Sequence, residues 1–488
     1  MGKCTAQVVA ELVKIVGAAG VLTDPAELVA YESDGFTLAK AMPGAVVLPE
    51  STEQVAACVR VLRRAGAPIV PRGSGTGLTG ASVPYEDGVL IVTSRMKRIV
   101  EVDLQSRVAC VEAGVCNTAL TEHVNRLPGG ERLYYAPDPS SQRAATIGGN
   151  AATNAGGVHT LKYGVTINHV LGLEFVTPDG EIVQTRCGAL YDGIGPDLTA
   201  LMVGSEGTLG IITKVWVKLS PRPEAFRTIV GIFDSSVAAC ESVSQVIAGG
   251  IVPAGLEMMD GAMIRVVEDA FHYGFPRDAA ALLLFELDGL EATLDDQMQQ
   301  VVDICTRCGA TDVQCSADPR KRAELWSARK RTFGAIGRIS TSYCTQDACV
   351  PRSMLPQVIE RINEIGSKYD LIITNVFHAG DGNVHPIILY DDHDAAAVKR
   401  AMDASHDILE YCISIGGTLT GEHGVGVEKL PMMKVMFNAP TMATFAKIKA
   451  TFDPDEAFNA GKLLPSSRFE VDLTKPAGAN TPGGAMAV

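Results

Sequence analysis

The sequence predicts an α+β fold that is built from more than one domain. The chain has 488 residues, which exceeds the size at which one hydrophobic core normally keeps growing. Through most of its length, short apolar runs typical of strands alternate with segments that have helical periodicity. Pro221 and Pro223 interrupt both patterns and indicate a linker. We therefore expect a domain boundary close to residue 221.

The sequence pattern in the first half of the chain predicts a domain that contains both helices and strands. Ser51 is suited to cap a helix, because Gln54 follows three residues later and Gly66 provides a stop. A helix is therefore predicted over residues 52–65. The strands predicted nearby are short and lie at 67–70, 89–93 and 108–112.

The second half predicts a separate α+β domain in which strands and helices alternate. Its clearest strand patterns are 228–233, 280–287 and 371–377. Its helical patterns are 235–248, 260–271, 291–308, 318–336, 353–367 and 394–415. Residues 466–488 are rich in Gly, Ala, Pro and Thr without an apolar face, so we expect a mobile tail.

Composition excludes several classes of function. The 56 acidic residues exceed the 42 basic ones and give a formal charge of −14, which would repel a phosphate backbone. Nucleic acid is therefore excluded as a main partner. No apolar run approaches the roughly 20 residues that a membrane helix needs, and the N-terminal segment lacks the pattern of a signal peptide. We expect a cytoplasmic protein without a membrane span.

The cysteines are interpreted as reduced thiols. The chain has 12 of them, and a protein without an export signal is seldom held together by disulfides. Cys305 and Cys308 form a C-x-x-C pair, which is a pattern found in redox and metal sites. No second pair lies at zinc spacing, so we favour two ordinary cysteines on one helix.

Three glycine-rich segments, at residues 71–80, 146–157 and 204–210, are candidates for ligand binding. Closely spaced glycines let backbone N–H groups approach an anion such as a pyrophosphate. The 71–80 loop contains G-x-G-x-x-G, but Pro84 and Asp87 lead into a strand rather than a helix, which argues against a Rossmann site. One such loop alone could be a flexible surface turn, whereas three could enclose one large ligand.

These segments, together with the motif Asn459-Ala460-Gly461-Lys462, resemble the PCMH-type FAD-binding domain of the vanillyl-alcohol oxidase superfamily. The resemblance extends over about residues 10–465, and it is strongest to the glycolate oxidases and to the D-lactate and D-2-hydroxyglutarate dehydrogenases. It implies two α/β subdomains around an FAD and an α+β cap domain with an antiparallel sheet. It also implies a C-terminal segment that returns to the FAD domain. The implied domains are 1–221 for FAD, 222–425 for the cap, 426–465 for the returning helical segment, and 466–488 for the tail.

The resemblance also implies which residues contact FAD. The residues expected at the pyrophosphate are Arg72, Gly73, Ser74, Gly75, Thr76, Thr79 and Gly80. Those expected elsewhere around the cofactor are Pro137, Asp138, Ser140, Ile147, Gly148, Asn150, Gly156, Glu206, Ile212 and Asn459. Some relatives attach FAD through a histidine in the first loop. Residues 71–80 contain no histidine, so non-covalent FAD is predicted.

A metal site is predicted from a hairpin pattern. Asp381-Gly382 is a strong two-residue turn signal between two apolar runs. A turn at that place would pair His378 directly with His385, at a Cβ separation of about 4.5–5.5 Å. Glu422, which lies with His423 between glycines, could add a third ligand and leave one position open. The alternative is that these are ordinary hydrogen-bonded histidines at strand ends.

The resemblance implies roles for these residues. His378, His385 and Glu422 match the ligands of a divalent metal, with zinc favoured over iron or manganese, and His423 matches the catalytic base. Arg329 matches the arginine that binds the substrate carboxylate, although by pattern alone residues 320–331 are a solvated basic helix face.

The function that the resemblance implies is oxidation of a small (R)-2-hydroxy acid. Position 333 is Phe and residues 343–347 contain no lysine, so a substrate without a second carboxylate is favoured, glycolate first. Electrons would pass to a second flavin subunit and an iron–sulfur subunit, or to electron-transfer flavoprotein, at the inner membrane in the first case. D-Lactate oxidation, alone or as the flavin subunit of an electron-bifurcating enzyme, and a non-catalytic flavin scaffold are the alternatives.

Overall fold

The computed structural model describes residues 4–186, 188, 195–340 and 342–466. The described residues form two compact units. Among the described residues, the first unit comprises 4–156, 165–222 with the gaps given above, and 422–466, and the second comprises 157–164 and 223–421 apart from residue 341. Apart from Ser466, the predicted tail lies outside the described residues. Among the described helices, none is both long enough and apolar enough to cross a bilayer.

The first unit contains two main sheets. One is four-stranded and mixed, in the order Val21–Leu22, Ala45–Val47, Val89–Val92, Ile69–Arg72. The other is five-stranded and antiparallel, in the order Ile99–Asp103, Val108–Glu112, Ile211–Lys218, Val170–Val176, Ile182–Gln184. The short strands Ser220–Pro221 and Leu133–Tyr134 form a separate pair. Val176 and Ile211 of the second sheet pack into the core of the first, so the two sheets belong to one unit.

The helices of the first unit cover these sheets. They are Ala6–Val16, Pro25–Leu28, Thr52–Ala65, Asn117–Asn125, Ile147–Thr153, Leu198–Met202, Met433–Met436 and Ala439–Phe452. The helix predicted over residues 52–65 is confirmed, because the structure has a helix over Thr52–Ala65. The Ser51 hydroxyl accepts a hydrogen bond from the Gln54 N–H, and Gly66 ends the helix with a positive φ of 65°.

The second unit is built on one large antiparallel sheet. Its main path runs Ala310–Ser316, Ala225–Phe233, Ala281–Gly289, Gly255–Asp260, Ile373–His378, Asn383–Val384, Ala348–Cys349. Pro386–Tyr390 also pairs with Ile373–His378 and with Ser342–Thr345. The helices are Thr160–Tyr163, Ser236–Ala248, Gly261–Phe271, Glu291–Arg307, Pro319–Lys330, Thr332–Ile336, Leu355–Tyr369 and Ala395–Ser414.

The single helix predicted over 318–336 is wrong, because the structure divides it at Arg331. The Thr332 hydroxyl donates to the Arg329 carbonyl at 3.0 Å, and such a side-chain bond competes with the helical backbone bonds.

Cys305 lies on the helix Glu291–Arg307 and Cys308 caps its end. Burial raises the pKa of Cys305 to about 12, so this thiol is protonated at neutral pH and suits packing rather than redox chemistry.

The segment Gly157–Gly164 joins the second unit through buried charges. Lys162 Nζ contacts the Asp288 carboxylate and donates to the Asp288 carbonyl at 2.6 Å. The Tyr163 hydroxyl donates to the same carboxylate at 2.5 Å. His159 Nε2 lies 3.2 Å from the Glu286 carboxylate. These bonds explain why eight residues between two parts of the first unit pack with the second.

Asp453 anchors the C-terminal segment in the first unit. Its carboxylate has no exposed side-chain surface and accepts from Lys449 Nζ at 2.5 Å. It also accepts from the backbone N–H groups of Ala457 at 3.0 Å and Phe458 at 2.8 Å. Arg63 of the helix Thr52–Ala65 donates to it at 3.3 Å. The Phe458 side chain then packs into the core beside the first sheet.

We expect Asp453→Ala to reduce the free energy of unfolding by roughly 3–5 kcal/mol, because it leaves the Lys449 ammonium buried without its counter-charge. Asp403→Ala provides a matched control, since Lys399 and Asp403 form the same i,i+4 pair at 2.7 Å on an exposed helix face. Its cost should stay below about 0.5 kcal/mol. Urea unfolding of both variants measures the difference, and equal costs would contradict this account.

Candidate functional site

The first glycine-rich loop follows directly from a strand of the four-stranded sheet. The strand Ile69–Arg72 ends in Arg72, whose side chain is buried beneath the loop. Its guanidinium donates to the Ser33 carbonyl at 2.7 Å and lies over the Tyr31 ring at 5.6 Å. The Arg72 side chain therefore supports the loop from within the unit.

The backbone of this loop suits an anion. Gly75 has a φ of 73°, and a Cβ there would lie 2.2 Å from Arg72 Nη2, so a larger residue would strain the backbone and displace the guanidinium. The hydrogen bonds of the described residues include none from the backbone N–H groups of residues 73–77. Donors without an internal partner, in a loop that glycine keeps narrow, fit the predicted binding of a pyrophosphate.

The second glycine-rich segment contains a short helix, Ile147–Thr153, which the sequence did not predict. The Thr146 hydroxyl caps it by accepting from the Gly149 N–H at 3.2 Å. At Gly148 a Cβ would lie 2.4 Å from the Ala113 Cβ, so this glycine serves helix packing. Asn150 is buried, and its Nδ2 has no hydrogen-bond partner among the described residues. Such a donor fits the carbonyl or ring nitrogen of a bound cofactor.

Glu206, in the third segment, connects parts of the chain that are far apart in sequence. Its buried carboxylate accepts from the backbone N–H groups of Val425 at 2.6 Å and Gly426 at 2.8 Å. Asn459 Nδ2 donates to the Glu206 carbonyl at 2.6 Å and to the Ala81 carbonyl at 2.9 Å. Burial raises the pKa of the Glu206 carboxyl, and the two backbone N–H groups oppose that rise. Glu206 therefore holds the loop that follows His423.

The remaining residues that were predicted to contact FAD all lie in the first unit. Thr79 and Gly80 are buried at the end of the first loop, and the Thr79 carbonyl accepts from the Val427 N–H at 2.9 Å. The Pro137 carbonyl accepts from Asn117 Nδ2 at 2.9 Å. Ile147, Gly156 and Ile212 are buried, Asp138 is half-buried, and Ser140 is exposed. Their contact with a cofactor stays a prediction.

The predicted register of the histidine hairpin is wrong. The structure pairs His378 with Asn383, rather than with His385, and leaves a four-residue loop over 379–382. His385 is therefore the diagonal neighbour of His378 on the same face of the sheet. The two rings still meet edge to face, with centroids 4.8 Å apart, so the predicted proximity of the imidazoles is confirmed within the second unit.

Glu257 lies between His378 and Arg329. It is the cross-strand partner of His378, and its Oε1 lies 2.5 Å from His378 Nδ1. Its Oε2 accepts from Arg329 Nε at 2.7 Å and forms an ion pair with Arg329 Nη2 at 2.7 Å. Burial raises the pKa of the Glu257 carboxyl, but Arg329 and His378 together hold that pKa below its ordinary value. Glu257 is therefore a carboxylate at neutral pH.

Arg329 is not part of a solvated face, although its neighbours are. Arg320, Lys330 and Arg331 are exposed, whereas only 4% of Arg329 is exposed. Glu257 takes the guanidinium edge formed by Nε and Nη2. Nη1 makes no hydrogen bond with any described residue. That edge can therefore donate to a planar carboxylate.

Asp347 lies beside His385 and anchors the segment that precedes Glu422. Its Oδ1 is 3.4 Å from His385 Nε2, and its Oδ2 accepts from the Thr420 hydroxyl at 2.5 Å and the Gly421 N–H at 3.1 Å. A Cβ on Gly421 would lie 2.6 Å from the Asn383 carboxamide. Glycine is thus required at 421 because Asn383 approaches its backbone closely.

Glu422 and His423 follow at the start of the last segment of the first unit. His423 Nε2 lies 3.8 Å from the Glu422 carboxylate, and both side chains are largely buried, with 15% and 11% of their surfaces exposed. Beyond them, Gly424 has a φ of 86°, and a Cβ there would lie 2.7 Å from Glu206 Oε1. The glycines around Glu422-His423 thus serve close contacts on both sides.

Three site residues were missed by the sequence analysis, namely Glu257, Asp347 and Asn383. Glu257 is an acid inside the buried strand Gly255–Asp260, which also ends in an acid. Asp347 is a fully buried acid between two short strands. A charged residue inside an apolar strand pattern is a signal that could have singled out Glu257, because buried acids need a partner. Asn383 lies at a turn, where Asn is common without a site, and carried no signal of its own.

Comparison with protein families gives two matches. A family described as FAD binding domain matches residues 43–186. A second family, described as FAD linked oxidases, C-terminal domain, matches residues 222–463. Each of the two units that the structure describes contains matched residues.

The chain is also similar to individual proteins. It is 46% identical to glycolate oxidase subunit GlcD of Escherichia coli (strain K12), over 91% of this chain and 88% of that protein. It is 32% identical to the mitochondrial D-lactate dehydrogenase [cytochrome] of Arabidopsis thaliana, over 88% of this chain and 75% of that protein. The structure of p-cresol methylhydroxylase with substrate bound has a TM-score of 0.79 at 18% identity, covering 94% of this chain and 96% of that chain. The predicted fold class is thereby confirmed.

We expect Gly75→Ala to weaken FAD binding at least about tenfold, because the new Cβ would displace the Arg72 guanidinium that supports the loop. Gly129→Ala is the matched control. Gly129 has a similar φ of 85°, but a Cβ there would meet nothing within 4 Å. The ratio of flavin to protein absorbance after desalting measures the effect, and equal FAD retention in the two variants would argue against this loop as the cofactor cradle.

Proposed function

Because the chain belongs to the family of FAD-linked oxidases, we propose that it oxidises a small (R)-2-hydroxy acid, with glycolate converted to glyoxylate as the favoured reaction. The observation that carries this proposal is the buried array of Arg329, His378 and His385 in the second unit. It combines a guanidinium edge for a carboxylate with two imidazoles that can hold a cation. The 46% identity to a glycolate oxidase subunit supports glycolate as the substrate.

FAD fits the first unit, where the N–H groups of residues 73–77 and the Asn150 carboxamide offer donors without internal partners. When bound, FAD supplies the acceptor for the hydride that leaves the α-carbon of the substrate. We propose that its binding is non-covalent, because the 71–80 loop contains no histidine that could form the link.

A divalent metal also fits the donor set, and we propose that His378, His385 and Glu422 hold it, with zinc favoured over iron or manganese. Two imidazoles and one carboxylate leave a coordination position for the substrate. The edge-to-face contact of the two rings at 4.8 Å brings the imidazoles close enough to share one ion. The anchoring of Gly421 to Asp347 and Asn383 restrains the peptide that precedes Glu422. Such a metal would supply positive charge that stabilises the developing alkoxide.

The protein side chains would divide the remaining work. Arg329 would bind the substrate carboxylate through the edge that Glu257 leaves open, which fixes the direction of the α-carbon. His423 would accept the hydroxyl proton as the hydride leaves. Glu206 supports this role because it holds the backbone at Val425 and Gly426, two and three residues after His423.

Reoxidation calls for a second protein. The sequence contains no run of iron–sulfur ligands and no haem attachment motif, and the E. coli relative is named as a subunit. We propose that electrons pass to a second flavin subunit and an iron–sulfur subunit, which would bring the chain to the inner membrane. Electron-transfer flavoprotein is the alternative acceptor.

D-Lactate oxidation is the second candidate function, favoured by the 32% identity to a D-lactate dehydrogenase. The two substrates differ by one methyl group, which is worth only about 1–3 kcal/mol in a pocket. A non-catalytic flavin scaffold is disfavoured, because a scaffold has no need of a buried guanidinium with an open edge beside two imidazoles.

An anaerobic screen of small 2-hydroxy acids tests the proposed function directly. The flavin absorbance near 450 nm should fall rapidly with glycolate and more slowly with D-lactate. The second-order rate constant of flavin reduction should be about 10- to 200-fold lower with D-lactate. The reverse order would identify a D-lactate dehydrogenase. Failure of every hydroxy acid to bleach the flavin, in protein that retains FAD and metal, would support the scaffold instead.

His423→Ala should slow flavin bleaching by at least about 100-fold while FAD remains bound, because the proton acceptor is lost but the cofactor cradle is intact. His393→Ala is the control, since His393 lies on an exposed turn with 88% of its side chain accessible. Stopped-flow absorbance with saturating substrate measures both variants. Fast bleaching in His423→Ala would remove His423 from the mechanism.

A further inference from the structure

We infer that Glu257 is a positioning residue that orients both His378 and Arg329 for the proposed reaction. The inference rests on the proposed function and deepens it, because it joins the metal-binding and carboxylate-binding residues through one carboxylate. No role for Glu257 follows from the motifs in the sequence. Its place in the structure carries the inference.

The first observation is the contact with His378. Glu257 and His378 are directly opposite each other on neighbouring antiparallel strands, and Oε1 lies 2.5 Å from Nδ1. A carboxylate can only accept, so the imidazole carries its proton on Nδ1. In this tautomer Nε2 carries the lone pair, which is the form of histidine that binds a metal. The strand register therefore selects both the tautomer and the orientation of the ring.

The second observation is the contact with Arg329. The other Glu257 oxygen, Oε2, accepts from Nε and forms an ion pair with Nη2. This arrangement holds the guanidinium plane and turns its remaining edge away from Glu257. One carboxylate thus uses one oxygen for the imidazole and the other for the guanidinium, so a rotation of Glu257 would disturb both partners.

The third observation is burial. Exposed fractions are 1% for Glu257, 4% for His378 and 4% for Arg329, so water does not replace a lost contact. The Arg329 guanidinium compensates the charge of the Glu257 carboxylate. Both carboxylate oxygens therefore have a buried partner.

Glu286 provides a matched control in the same sheet. It lies on the adjacent strand, directly opposite Gly255, which is two residues before Glu257. It is also fully buried and forms an ion pair with Arg322 at 2.7 Å. Its further partners are Trp326 and His159, and it contacts neither His378 nor Arg329. Loss of its charge tests the general effect of removing a buried carboxylate.

The experiment compares Glu257→Gln with Glu286→Gln in FAD-loaded protein that has been saturated with zinc. Zinc release to a chelating indicator dye should be about 10–100 times faster for Glu257→Gln, because removing a carboxylate that orients a ligand weakens metal binding by this factor. Glu286→Gln should stay within about twofold of the wild type. Nitrogen-15 NMR of metal-free, histidine-labelled protein should show a smaller fraction of the Nδ1-protonated form at His378 in Glu257→Gln alone, because a carboxamide oxygen is a weaker acceptor than a carboxylate.

Substrate kinetics give a second readout. Glu257→Gln should also raise KM for glycolate about tenfold or more, since Arg329 is no longer held in place, whereas Glu286→Gln should not. The double variant Glu257→Gln/Arg329→Gln removes both charges together, which protects against unfolding caused by an unpaired arginine. It should release zinc as fast as Glu257→Gln.

The outcomes separate the inference from the proposed function. The inference is wrong if the wild type binds zinc and oxidises a hydroxy acid, but Glu257→Gln has the same zinc release rate and the same Nδ1-protonated fraction of His378. Glu257 would then only form a structural ion pair. If the wild type binds no metal at all, the metal part of the proposed function fails first and the inference falls with it.

Discussion

A carboxylate that has been removed from water needs donors within the protein, and two such carboxylates organise this chain. Glu257 accepts from an imidazole and a guanidinium within the second unit. Glu206 accepts from two backbone N–H groups of the loop after His423 within the first unit. An unpaired buried carboxylate costs several kcal/mol, so each glutamate restrains the donors around it. These hydrogen bonds and ion pairs therefore help to hold His378, Arg329 and the loop after His423 in place.

The same logic accounts for the glycines near the proposed site. Gly421 is close to the Asn383 carboxamide, Gly424 to the Glu206 carboxylate, and Gly75 to the Arg72 guanidinium. In each case a polar side chain occupies the space that a Cβ would need. The glycine-rich motifs therefore reflect close approach of buried polar groups as well as room for a ligand, and Gly148, which packs on Ala113, reflects helix packing alone.

The residues proposed for cofactor, metal and substrate are distributed over the two units. The glycine-rich segments and Asn459 belong to the first unit, together with Glu422 and His423. Arg329, His378 and His385 belong to the second. The hydrogen-bond donors in the first unit suit a large anionic cofactor. In the second unit, the guanidinium suits a small carboxylate and the imidazole nitrogens suit a cation. Each unit thus has a recognisable chemistry when it is considered by itself.

The sequence by itself determined the features that depend on neighbouring residues. The helix Thr52–Ala65 has its cap and stop within the local sequence. The family resemblance followed from the glycine-rich segments and the motif Asn459-Ala460-Gly461-Lys462. The proximity of His378 and His385 was also predictable, because both flank one turn. These features need no contact between residues that are far apart in the chain.

Only the tertiary structure decided the rest. It moved the histidine register by two residues, because strand pairing is set by the whole sheet rather than by one Asp-Gly turn. It divided the helix at Arg331 and buried Arg329 while its basic neighbours stayed exposed. It also placed Glu257 against both His378 and Arg329, which are 121 and 72 residues away. Such contacts depend on how distant strands and helices pack, and no local pattern encodes them.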